Sequence, residues 1–195
     1  MTGWRAHLIS REVLPFYLAL LLLGGTALVL DGLLHVLDLV WIGRWLGIPG
    51  VLLIIGSFGY SLARRNWIKV RSPAGLLRLH ERMAWAGSLL ILVHAGVHFN
   101  AILAWLAVWA MLINIASGLT GKFLMKRSRA RLEETRARLR AQGLSDAALE
   151  ASLHWDSLTY DVVRKWRVVH YPVTLAFAVL ALAHILAVFW HWNWR

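Results

Sequence analysis

The sequence predicts an all-α fold: an integral membrane helical bundle of about five transmembrane helices, N-terminus in and C-terminus out, plus a cytoplasmic helical hairpin. Three observations predict it. Of the 195 residues, 59% are hydrophobic and only 16% are charged, against roughly 45–50% apolar residues in an average soluble domain. The apolar residues gather in runs about as long as a bilayer is thick. The basic residues fall between those runs rather than on them, so the net charge of +11 belongs to loops and no nucleic-acid partner is expected. The whole chain, residues 1–195, reads as a single membrane domain in contact with lipid.

The first run, residues 13–30, carries no charge and matches the roughly 20 residues that one crossing needs. Asp31-Gly32-Leu33-Leu34 follows it in place of a small-residue cleavage site, so it reads as an uncleaved span. Residues 33–46 mix apolar side chains with Asp38, Trp41, Arg44 and Trp45, the pattern of a short helix lying in the headgroup layer. Further spans follow at 48–63, 79–99, 101–121 and 168–190, with Asn100 at the tight turn between the third and fourth. Residues 122–167 are polar, with Glu134 and Arg138 at helical spacing, Gly143 placed to stop a helix and Ser145 placed to cap the next. They form the helical hairpin.

Orientation follows from the loop charges, because cytoplasmic loops retain Lys and Arg. With the N-terminus inside, all of the 21 Lys and Arg residues except Arg44 and Arg195 are cytoplasmic. Tryptophan agrees: Trp4, Trp67 and Trp166 fall at the inner boundary, and Trp41, Trp45, Trp105, Trp190, Trp192 and Trp194 at the outer one. The expected location is the plasma (inner) membrane, with a multi-pass topology.

The chain has no cysteine, which removes disulfides, thiolate metal sites, iron–sulfur ligation and covalent haem attachment. Nine histidines remain for redox or metal chemistry. His80 and His94 lie on the third span and His170 and His184 on the fifth, each pair 14 residues apart. At about 100° per residue, 14 steps close to within roughly 40° of whole turns, so each pair shares a helix face about 21 Å apart along the axis. The two spans run parallel. His80 then lies level with His170 near the cytoplasm, and His94 level with His184 near the outer side. Two imidazoles facing one another can take both axial positions of a haem iron, which suits electron transfer rather than oxygen binding. Gly87, midway between His80 and His94, would let a porphyrin approach the backbone, and Ala176, Ala178, Ala181 and Ala183 leave similar room on the fifth span.

On His80-x13-His94 and His170-x13-His184, residues 76–191 resemble the di-haem b-type membrane cytochromes. That group includes the cytochrome b of quinol-oxidising bc complexes, the ferric-reductase-like transmembrane proteins and the haem anchors of respiratory oxidoreductases. The resemblance implies two haem b groups whose iron has His80, His94, His170 and His184 as axial ligands. It implies a subunit that carries electrons across the membrane, with redox partner subunits and quinone as its partners. No GxGxxG fingerprint is present, so dehydrogenase chemistry would reside in another subunit. Pro172 departs from an undisturbed helix and should bend it beside His170.

Other readings stand beside this one. Membrane histidines also serve as interhelical hydrogen-bonding groups, which would make the chain a cofactor-free anchor, or they carry protons. A stand-alone quinol-oxidising or ferric-reductase-like enzyme is a further alternative. His98, on the face of His94, competes with it as ligand, but the 18-residue gap from His80 loses the match with the fifth span. His191 and His98, with Asp31, His35, Asp38 and Asn100, crowd the outer boundary as a quinone or partner site or as wetted interfacial groups. Arg78, Arg82, Arg164, Lys165 and Arg167 surround the inner pair, as propionate partners or as topology signals. His7 and His154 are expected to be exposed.

Overall fold

The computed structural model describes residues 14–67, 73–97, 102–121, 126–143, 148, 153 and 165–191. Among them every regular element is helical and there is no strand. In chain order the helices are α1 (Leu14–Val36), α2 (Val40–Trp45), α3 (Gly47–Ser57), α4 (Gly59–Arg64), α5 (Pro73–Val97), α6 (Ile102–Thr120), α7 (Lys126–Ala141) and α8 (Trp166–His191). Four stretches are long and apolar enough to cross a membrane: Leu14–Val36, Val40–Ala63, Ile102–Thr120 and Val168–His191. Their outer faces carry large apolar side chains with nothing over them, such as Leu28 at 75% and Trp190 at 87% exposure. Surfaces of that kind are compatible with lipid contact and make this a multi-pass membrane protein.

Two boundaries differ from the sequence expectation. The first span continues through Asp31 to Val36, and the chain turns at Leu37–Leu39, where Asp38 adopts φ 55°, a left-handed conformation that Asp tolerates better than most residues. Residues 40–45 do not form a separate surface helix. They lead through the single residue Leu46, still in right-handed helical conformation, into α3 and α4. Pro49 explains the break at Leu46: it has no N–H to give the Trp45 carbonyl, so the run loses one rung there. A second break at Phe58 follows Ser57, whose hydroxyl donates back to the Ile54 carbonyl at 2.7 Å, a bond that loosens a helical turn. Asn66, at φ 58°, ends the run after α4.

α5 is 25 residues long but is not among the four apolar stretches, because Arg78, Glu81 and Arg82 lie in its first half. Pro73 opens it, where a missing N–H removes no helical bond. α8 runs unbroken through Pro172, so the proline does not interrupt the helix beside His170. Outside the apolar stretches, α7 forms within the expected hairpin, with Arg138 and Glu134 paired at 3.4 Å on an exposed face. Gly143 closes it at φ 73°, the left-handed stop that a Cβ disfavours. Gly143→Ala should therefore weaken the end of α7 by about 1 kcal/mol, seen as faster amide exchange over its last turn. Ser145 lies outside the described residues.

The chain divides into two compact units, Leu20–Val108 and a second made of Met1–Ala19 with Trp109–Arg195. In the first, α3 packs along α5, with α2 and α4 continuing the contact at either end. Leu23, Ala27, Val93 and Ala107 are buried there. In the second, Met111, Leu153 and Phe177 are the buried apolar residues.

Candidate functional site

His80 and His94 belong to the first unit and His170 and His184 to the second. All four are half-buried.

In the first unit both histidines reach the helical run that precedes them. His80 donates its Nδ1 hydrogen to the carbonyl of Ser57 at 2.8 Å, and His94 donates its own to the carbonyl of Gly43 at 3.2 Å. Each acceptor lies at the end of a helix just before one of the two breaks, where backbone carbonyls lack a full set of intrahelical donors. Halfway between them, Gly50 of α3 meets Gly87 of α5. A Cβ on Gly87 would lie 2.8 Å from the Gly50 carbonyl oxygen, and one on Gly50 would lie 3.1 Å from the Gly87 oxygen. Positions 43, 50 and 57 thus face 94, 87 and 80 in steps of seven along an antiparallel pair, the repeat that keeps one helical seam in contact.

Gly87 therefore does not do what the sequence suggested. It is buried, and the room left by its missing side chain is taken by α3 rather than held open for a macrocycle. Gly47 serves His94 in the same manner, since a Cβ there would lie 2.9 Å from the ring Cδ2. The His80 ring also stacks at a tilt on Tyr60, with centroids 5.5 Å apart.

In the second unit, His170 of α8 sets Nδ1 3.1 Å from the hydroxyl of Ser117 on α6. Gly118 lies beside the ring, its would-be Cβ 3.9 Å from Cε1. One turn along, the Thr174 hydroxyl lies 2.7 Å from Asn114 Oδ1 and 2.8 Å from the His170 carbonyl, and it can donate to either. Asn114, Ser117, His170 and Thr174 form a polar seam inside two apolar helices. Removing one such interhelical bond in a membrane costs on average about 0.6 kcal/mol and at most about 1.7. Asn114→Leu, which removes the interhelical acceptor of Thr174 and leaves it only the His170 carbonyl on its own helix, should cost an amount in this range, measured as a lower unfolding midpoint in mixed micelles.

The donor set fits a haem-type ligand in one respect. A neutral histidine that gives its Nδ1 hydrogen to a carbonyl keeps its lone pair on Nε2, and ligating histidines commonly hold their other nitrogen in this way. His80 and His94 meet that description, and Ser117 can accept from His170 to give the same result. His35 and His191 differ, because their Nδ1 atoms bond only one turn back along their own helices, to the carbonyls of Asp31 and Ala187. Among the described residues no group of three or more His, Cys, Asp or Glu side chains converges on one point. Of the basic residues expected near the inner pair, Arg78, Arg82 and Lys165 are exposed. Ala176 and Ala178 on α8 are exposed as well, while Ala181 and Ala183 are half-buried. The side chains of Arg164 and Arg167, and His7, His98, Asn100 and His154, lie outside the described residues.

Sequence reasoning missed the acceptors Gly43 and Ser57 and the seam residues Asn114, Ser117 and Thr174. Two signals for them were present: the seven-residue steps Gly43, Gly50 and Ser57, and the polar or small residues at 114, 117, 118 and 121 along an otherwise apolar helix. Comparison with protein-family models, with curated proteins and with solved structures finds nothing that matches this chain.

Proposed function

We propose that this chain carries electrons across a membrane through two bis-histidine b haems, one held by His80 with His170 and the other by His94 with His184. In this reading it is the five-span cytochrome b subunit of a respiratory or redox complex in the plasma (inner) membrane, exchanging electrons with quinone or a partner subunit. The observation that supports it most directly is the commitment of Nδ1 to a neighbouring helix at His80, His94 and His170. That commitment holds each ring at a fixed height and favours Nε2 as the coordinating nitrogen. Bound haem would supply reversible one-electron chemistry at iron. The chain's own part is to fix four imidazoles on two long helices and keep water from them with apolar neighbours.

The deciding experiment is a reduced-minus-oxidised visible spectrum of the purified protein, with pyridine haemochrome quantitation of haem per chain. Two low-spin b-type haems are expected, and a colourless protein folded in the presence of haem would end the proposal.

A second reading is favoured by one specific observation. The 14-residue interval from His80 to His94 equals that from Gly43 to Ser57, with Gly50 on Gly87 at the midpoint. On this reading the two histidines are clamps that fix α5 against α2 and α3, and the protein is a cofactor-free membrane anchor.

A further inference from the structure

One acid inside the apolar part of the chain takes part in neither the haem ligation nor the helix clamp. Asp31 lies five residues before the end of α1. Its Oδ1 is buried, and among the described residues it has no hydrogen-bond partner. The carboxylate rests on Gly96 of α5, where a Cβ would lie 3.0 Å from Cγ and 3.1 Å from each oxygen. Only glycine leaves that place to a carboxylate.

His35 follows one turn along α1. Its Nδ1 lies 3.7 Å from Oδ1 and donates its hydrogen to the Asp31 carbonyl at 2.9 Å. Side-chain exposure falls from 51% at His35 to 22% at Asp31, so the pair leads from an open end inward. Among the described residues, α5 brings Gly96 against the carboxylate and no charged side chain. His94, two positions earlier, points about 200° away around that helix. Asp38 and Arg44 are the next charged residues along the chain, in the turn after α1 and in α2.

A buried acceptor with no donor is costly, and an ionisable group within a span is by default a working one. We infer that Asp31 and His35 form a proton-exchange site, with His35 as the relay between the surface and Asp31 Oδ1. His35 accepts a proton on Nε2, and the imidazolium then turns its Nδ1 hydrogen from the Asp31 carbonyl to Oδ1 and releases it there. One proton enters the ring and one leaves, so the ring ends neutral with its hydrogen on Nε2 and Asp31 ends as the acid. Gly96 keeps the carboxyl within reach of His35 and away from lipid. The inference is independent of the haem reading, and its test uses no haem signal.

The full-length protein in phospholipid vesicles is treated with dicyclohexylcarbodiimide, an apolar reagent that adds to carboxyl groups carrying a proton. Labelled residues are then read by peptide mass spectrometry. Asp31 should be labelled, and Glu134, 74% exposed on α7, should not. In parallel, the infrared carbonyl stretch removed by Asp31→Asn is followed after transfer into heavy water. His35→Ala should slow its isotope shift severalfold. No label on Asp31 would overturn the site, with or without a folded Asp31→Asn variant. A carbonyl band that exchanges at the wild-type rate in His35→Ala would overturn the relay.

Discussion

Gly87→Leu is expected to separate α3 from α5 and to lower stability far more than leucine at the open glycines of α1. Even the Cβ would press to 2.8 Å from the Gly50 carbonyl oxygen and to 3.1 Å from Leu53 and Ile54 side-chain carbons. A backbone oxygen inside a helix cannot swing aside as a long side chain can. Overpacking of this kind costs about 1–3 kcal/mol where neighbours can adjust, and the backbone contact places Gly87→Leu at the top of that range or above it. Gly87→Ala should already show about 1 kcal/mol of the loss. Gly24 and Gly25 on α1 are the controls, since a Cβ at either meets nothing within 4 Å. Unfolding midpoints in mixed micelles should fall for Gly87→Leu and stay level or rise for Gly24→Ala. A Gly87→Leu protein as stable as Gly25→Leu would remove the close crossing of α3 on α5 and, with it, the seven-residue ladder.

The ladder also explains which parts of the fold were legible in the sequence. Spans with a long, charge-free apolar run, such as those beginning at 13 and 168, were legible because lipid imposes one requirement on all their faces, although the first continues past its expected end at 30 through Asp31 to Val36. The segment 33–46 was misread because Trp41, Arg44 and Trp45 carry the composition of a surface helix. Its continuation into α3 depends on Leu46 keeping helical geometry beside a proline, which composition does not express. Arg78, Glu81 and Arg82 did not hide α5, because they cluster in its first half and leave the apolar run at 89–93 intact, and His80, Gly87 and His94 recur along it at a helical period. That same period carries two meanings: histidines 14 apart can face a cofactor or an antiparallel helix, and periodicity alone names the face but not its occupant. The seam on α6 was legible only as isolated polar residues, since their partner Thr174 lies 60 residues beyond Asn114 in the chain.

Asparagine at the histidine positions separates the two meanings. Its amide Nδ2, like histidine Nδ1, is one bond from Cγ, so His80→Asn can still donate to the Ser57 carbonyl and His94→Asn to the Gly43 carbonyl. Neither substitution leaves a nitrogen in the place of Nε2. If the histidines are ligands, His80→Asn and His170→Asn should each abolish the same haem, halving haem per chain, and His94→Asn and His184→Asn should each abolish the other. Stability of the haem-free protein should change little at 80 and 94, because the interhelical bond persists. Alanine at those positions should remove the bond as well, costing about 0.6–1.7 kcal/mol more than asparagine. His98→Ala should keep both haems. If the histidines are clamps alone, asparagine and alanine will differ in stability by the same margin and no variant will change the visible spectrum. Loss of different haems within one proposed pair would refute the pairing while leaving haem binding intact, and it would show that α5 and α8 present their histidines at heights other than those their shared spacing implies.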